Sequence, residues 1–182
     1  MGFFRPNEAM FDMPSKPLYK RPESVLVVIH TPDLDVLMLE RADRAGFWQS
    51  VTGSRETFDE TWAETAVREV REETGIIVER RSPPEDGVFA SVPVGGLFDL
   101  GHEERYEIFP HWRHRYAPGV THNTEHWFRL EVPRDIPVGI APNEHVAWQW
   151  LPWREAAALC FSPSNRAAIL QLPSLLGAPL AA

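Results

Sequence analysis

Residues 53–76 read GSRETFDETWAETAVREVREETGI. The stretch opens on a glycine, runs without proline and closes on Gly75, a residue type favoured just past a helix end. The spacing predicts a helix over Glu60–Thr74. At about 100° per residue, Ala63, Ala66, Val67 and Val70 fall on one arc and form the stripe to be buried. Glu69 and Glu73 stand at i and i+4 beside that stripe, and Glu72 lies on the same flank. Like charges so placed repel by about 0.2–0.5 kcal/mol per pair. Arg68 and Arg71 offset part of this, and Glu64, Arg68 and Glu72 can form an i,i+4 ladder. Glu69 and Glu73 have no such partner on their own edge. A hard divalent cation is the natural one, because Mg²⁺ binds well to a few carboxylates together with substrate phosphate. Taken alone, REVREE over residues 68–73 also reads as a solvated charged face.

The flanks decide between these readings, because the whole stretch resembles the Nudix box, G-x5-E-x7-R-E-U-x-E-E-x-G-U with U bulky and apolar. Glu60, Arg68, Glu69, Val70, Glu72, Glu73, Gly75 and Ile76 match it in order and spacing. The one departure is that six residues instead of five separate Gly53 from Glu60, in the loop where insertions are best tolerated. The resemblance implies an α/β fold, an α/β/α sandwich with a mixed β-sheet. It also implies metal-dependent hydrolysis of a nucleoside diphosphate linked to another group, with Mg²⁺ as cofactor or Mn²⁺ in its place. Glu69 and Glu73 would be direct metal ligands, Glu72 would assist, and Arg68 would orient the glutamates. The carbonyl just before the box glycine, on Thr52, would contact metal or substrate.

The bulk properties are those of an ordinary soluble globular chain. At 182 residues and 43% hydrophobic content the chain suits one domain. We expect a flexible extension over residues 1–17 and a single domain over 18–182. Residues 1–17 lack the apolar core of a secretory signal, and Pro6 stands where a myristoylation site needs Ser or Thr. The single cysteine, Cys160, rules out an internal disulfide and a thiolate zinc site. His111 with His114, and His122 with His126, have spacings that metal sites use, but lack the context for zinc. A cytoplasmic location fits, with no membrane and no obligate protein partner. The net charge of −8 argues against nucleic acid. It leaves polyphosphates open, since cations can bridge two sets of negative charge.

Outside the box, strands are expected at Glu23–His30, Asp35–Glu40, Phe47–Thr52, Ile76–Glu79 and Val146–Leu151. Residues 82–87 (SPPEDG) read as a loop and 88–132 as strand-rich. Helices are expected over Trp153–Leu159 and Pro163–Leu172, with Ser162 as N-cap of the second. Residues 109–116 (FPHWRHRY) read as a strand that puts His111, Arg113 and Arg115 on one side and aromatic rings on the other. Trp148 and Trp150 read as one face of a buried strand.

Several separate blocks resemble the branch of the Nudix family that acts on dihydroneopterin triphosphate in bacterial folate synthesis. They include residues 19–22 (YKRP), 47–54 (FWQSVTGS), 107–109 (EIF), 113–121 (RHRYAPGVT) and 123–125 (NTE). That resemblance spans about Tyr19 to Ile169. It implies Lys20, Arg41 and Ser162 as substrate contacts, Tyr106, Glu107, Ile108 and Phe109 as pocket lining, and Glu144 as a metal ligand from outside the helix. Ordinary surface charge at Lys20 and Arg41, a plain helix cap at Ser162 and a turn glutamate at Glu144 are the alternatives. For the whole chain the alternatives are a (deoxy)nucleoside triphosphate or dinucleotide as substrate, and a nucleotide-binding module without turnover. The intact Glu69, Glu72 and Glu73 speak against the module.

Overall fold

Glu23–His30 is buried along all but its first residue, as a strand covered on both faces must be, and this strand, β1, is the centre of the molecule. The computed structural model describes residues 19–78 and 96–177. The expected extension over 1–17, the loop over 82–87 and the start of the strand-rich segment lie outside those residues.

β1 runs parallel to β6 (His122–Glu131) and antiparallel to β4 (Val51–Ser54). It also meets β2 (Asp35–Arg41) at His30 and Val36. β2 pairs in turn with β3 (Trp48–Gln49) and with β7 (His145–Pro152), and β5 (Leu97–Glu107) borders β6. The expected mixed sheet is therefore present. Helix α1 (Trp62–Thr74) covers one face, with Ala66 and Val70 packed on Val25, Val27 and Phe128. Helices α2 (Trp153–Leu159) and α3 (Pro163–Leu175) cover the other, with Ala156, Ala168, Ile169 and Leu172 on Leu26, Val28 and Trp127. Two apolar layers, one on each side of a single sheet, make the α/β/α sandwich. Among the described residues no helix is long and apolar enough to cross a membrane.

Five local expectations need correction. Helix α1 starts at Trp62, not Glu60, because Thr61 and Glu64 form a capping box: Glu64 N–H donates to Thr61 Oγ1 at 3.2 Å and Thr61 N–H to the Glu64 carboxylate at 2.9 Å. The strand expected over Phe47–Thr52 is two strands, since Ser50 turns its N–H away to Asn165 Oδ1 at 3.0 Å. Residues 76–78 form no strand. Gly75 takes a left-handed φ of 70°, Ile76 drops into the core, and the carbonyl of Thr74 is taken by Gly139 N–H at 2.9 Å. Residues 110–115 coil as a 3-10 helix, with Pro110 at its start, where an alternating strand was expected. Proline supplies no ladder hydrogen bond and suits a first helical position. Trp148 and Trp150 do share one face of β7, but that face is not buried throughout, since Trp148 is 40% exposed.

Candidate active site

The close of α1 against β4 and β7 brings the carboxylates together. Glu73 is 2% exposed and faces β7, where His145 Nε2 lies 3.0 Å from its Oε2. Ligand atoms of Glu73, Glu144 and His145 all stand within 4.8 Å of one another. Glu144 reaches this point because its carbonyl accepts from Ala42 N–H at 2.8 Å, which pins the turn before β7 to the end of β2. Burial pushes the Glu73 carboxyl above its ordinary pKa, against hydrogen bonds from His145 and the Thr52 backbone.

Glu69 sits one turn earlier, 8% exposed, with its carboxylate pressed against the Cα of Gly53. A Cβ at position 53 would fall 1.7 Å from Glu69 Cδ, so only glycine leaves room for the group. Burial pushes the Glu69 carboxyl up to about 8, against the pull of Arg68. The guanidinium of Arg68 is the local hub. It donates to Glu69 at 2.7 Å, to Glu60 at 2.7 Å, to Glu72 at 3.1 Å and to the Ser54 carbonyl at 2.9 Å. It ties the helix to the glycine loop, and the six-residue spacing before Glu60 does not prevent that tie. Glu72 is the outermost of the three, its side chain 54% exposed.

A cavity of about 580 Å³ opens beside this cluster. Lys20, Arg41, Thr52, Tyr106, Glu107, Ile108, Phe109, Ser162, Glu73 and Glu144, all singled out from sequence, line it. Arg68, Glu69 and Glu72 are not among its lining residues. Lys20 is at the exposed rim, its N–H bonded to the Arg115 carbonyl at 2.8 Å. Loss of water in the concave mouth lowers its ammonium pKa, and the charge of Arg115 adds to that. Arg41 is held by Asp43 through two bonds of 2.7 Å and stacks over Trp112 at 4.8 Å. Glu107 pairs with Arg113, and Ser162 stands at the start of α3 without capping it, its hydroxyl 3.0 Å from that of Ser164. Trp112 and Phe161 form an edge-to-face pair on the same wall.

His145, Arg115, Asn123 and Glu125 also line the cavity, and none of the four is among the site residues expected from sequence. His145 was findable as the neighbour of Glu144 before a strand. Arg115 is brought there by the 3-10 helix, where a strand was expected, and Asn123 and Glu125, part of the block 123–125 that carries the resemblance, gain a place in the site only when β6 is seen to face the cavity.

The profile of the NUDIX domain matches residues 20–172. The chain belongs to the Nudix family. It is 48% identical over 155 residues to the dihydroneopterin triphosphate diphosphatase of Escherichia coli K12, covering 85% of this chain and 93% of that one. It is 42% identical over 153 residues to the enzyme of that name from Haemophilus influenzae, covering 83% and 87%. The solved structure of the E. coli dihydroneopterin triphosphate pyrophosphohydrolase superposes with a TM-score of 0.72 at 47% identity, over 85% of this chain and 97% of that one. A Nudix hydrolase from Listeria monocytogenes, 24% identical with a TM-score of 0.65, shares the fold. This Nudix pyrophosphohydrolase thus brings together Glu73, Glu144 and His145 as a group that could hold a divalent metal. Burial is the main cause of the raised carboxyl pKa values, and carboxylate oxygens arrive from two separate elements, Glu73 from α1 and Glu144 from the turn before β7.

Proposed function

We propose that the chain hydrolyses dihydroneopterin triphosphate to dihydroneopterin monophosphate and pyrophosphate, with Mg²⁺. The observation that carries this reading is the convergence of Glu73, Glu144 and His145 within 4.8 Å on a cavity that also has an aromatic wall. Kinship over most of both chains to enzymes named for that substrate supports the choice of pterin.

Glu69, Glu73 and Glu144 hold the metal in this proposal, with Thr52 beside them. Bound there, a divalent cation neutralises phosphate oxygens and acidifies water. His145 orients Glu73 through its Nε2, and Arg68 keeps Glu69 on Gly53 while Glu72 steadies Arg68. Lys20 and Arg41 bind the triphosphate. Tyr106, Glu107, Ile108, Phe109 and Ser162 shape the rest of the cavity. The oxygen of water bonds to a phosphorus of the α–β bridge, and the bond from that phosphorus to the bridging oxygen breaks. A carboxylate of the cluster takes the released proton.

Purified protein given dihydroneopterin triphosphate and Mg²⁺ should yield monophosphate and pyrophosphate in equal amounts. Stepwise release of single phosphates overturns the reading. Excess chelator should abolish turnover and Mg²⁺ restore it. At equal concentrations, deoxynucleoside triphosphates and dinucleotides should be poorer substrates by kcat/KM.

A further inference from the structure

Glu125 is a buried carboxylate that the chemistry above does not use. It is 4% exposed on β6 and lines the cavity on the sheet face covered by α3, opposite the face that carries α1. Its partners are neutral. Trp127 Nε1–H donates to Oε1 at 3.2 Å, the Tyr106 hydroxyl donates to Oε2 at 3.3 Å, and the Ser164 hydroxyl also bonds it. Among the described residues no cation pairs with it. A carboxylate accepts at about four lone-pair positions, so acceptor capacity is left over. The surrounding polar layer is unfinished as well. Asn123 donates to Ser24 at 2.7 Å and to Tyr106 at 3.1 Å, yet its Oδ1 has no partner among the described residues. Asn165 accepts from Ser50 N–H at 3.0 Å, yet its Nδ2 has none. Both asparagines line the same cavity and are 2% exposed. Buried polar groups without partners are costly, and a ligand is one way to supply them.

A partner with adjacent N–H donors on a flat ring fits this layer, since the carboxylate accepts and the aromatic pair of Trp112 and Phe161 lines the same cavity. A 2-amino-4-oxopyrimidine edge offers such donors. Its ring N–H and exocyclic amino group point the same way, as the fork of a guanidinium does toward a carboxylate. We infer that Glu125 is the specificity-determining residue of the cavity: its carboxylate accepts from the ring N–H and 2-amino group of the substrate, within the polar layer of Asn123, Tyr106 and Asn165. This rests on the pterin reading above and adds to it which edge of the ring is read and by which residue. A ring with oxygen in place of the 2-amino group would set two acceptors face to face.

The test compares dihydroneopterin triphosphate with its 2-oxo counterpart, the lumazine analogue, as substrates with Mg²⁺. The wild-type chain should prefer the 2-amino ring by roughly 100-fold or more in kcat/KM, as expected of a site built around a substrate N–H. Glu125→Gln keeps the volume but turns a donor toward the ring. It should collapse that preference to within a few-fold, with the loss falling on KM more than on kcat. A purely structural Glu125 would leave the amino-to-oxo ratio of a folded variant unchanged, and that result overturns the inference. If the variant does not fold, the wild-type ratio decides, and a ratio near one overturns it. Equal, efficient turnover of both rings sinks the role of Glu125 alone. Failure to turn over either ring sinks the pterin reading with it.

Discussion

Glu73 is the residue on which most depends. It closes α1, is almost wholly buried, and meets both Glu144 and His145. Glu73→Gln preserves shape and removes a charged oxygen. Turnover should fall by at least ~10²-fold in steady-state assays with circular dichroism unchanged, the usual scale for losing a principal electrostatic group. Gly53→Ala works from the other side. The added Cβ would displace the Glu69 carboxylate, the far end of a flexible side chain, so the fold survives while the carboxylate leaves its place. Activity should drop at least about tenfold with the melting temperature nearly unchanged, on the same electrostatic reasoning.

Protonation of Glu69 is the third consequence at this scale. Its carboxyl rises from the ordinary 4.5 to about 8 in the folded chain. Between those values the folded state holds a proton that the unfolded state has lost. Its contribution to stability is therefore present at low pH and fades as pH rises toward 8. In chelator, the melting temperature should fall from pH 5 to pH 8.5 by more than it does with Mg²⁺ present. Mg²⁺ affinity, read by calorimetry, should climb with pH up to about 8 and then level off, because metal and proton compete for one carboxylate.

Helix α1 acts as a rigid mount. The capping box at Thr61 sets its first turn, and Gly75 with its left-handed φ ends it one residue after Thr74. Thr61→Ala should reduce unfolding free energy by about 1 kcal/mol in urea titrations, the usual cost of a lost N-cap. The same change should leave KM for the triphosphate within about twofold, since the cap is at the far end of the helix from Glu73 and such a cost is local. The 3-10 helix over Pro110–Arg115 is the other informative element. By coiling, it swings Trp112 and Arg115 onto the cavity, where an extended strand would have sent alternate side chains to opposite sides.

The cavity belongs to the molecule as a whole. It runs from the α1 carboxylates on one face of the sheet to the α3 face, where Asn123 and Glu125 stand, and no single segment outlines it. Sequence by itself determined the carboxylate helix and the central strand through local periodicity and spacing, and the box from Glu60 to Ile76, with the sandwich class it implies, through resemblance to the Nudix family. Lys20, Arg41 and Glu144 were also legible, through blocks resembling a known branch, and they reach one cavity although more than a hundred residues separate the first from the last. Periodicity failed at residues 76–78 and 109–116, where a proline and a glycine cap outweighed apolar alternation. Only the tertiary structure put His145 on Glu73 and left Glu125, among the described residues, facing the cavity with neutral partners alone. A buried group's pKa and its unmet hydrogen bonds depend on what surrounds it in three dimensions, and neighbours 72 residues apart, such as Glu73 and His145, leave no mark on the local pattern of either.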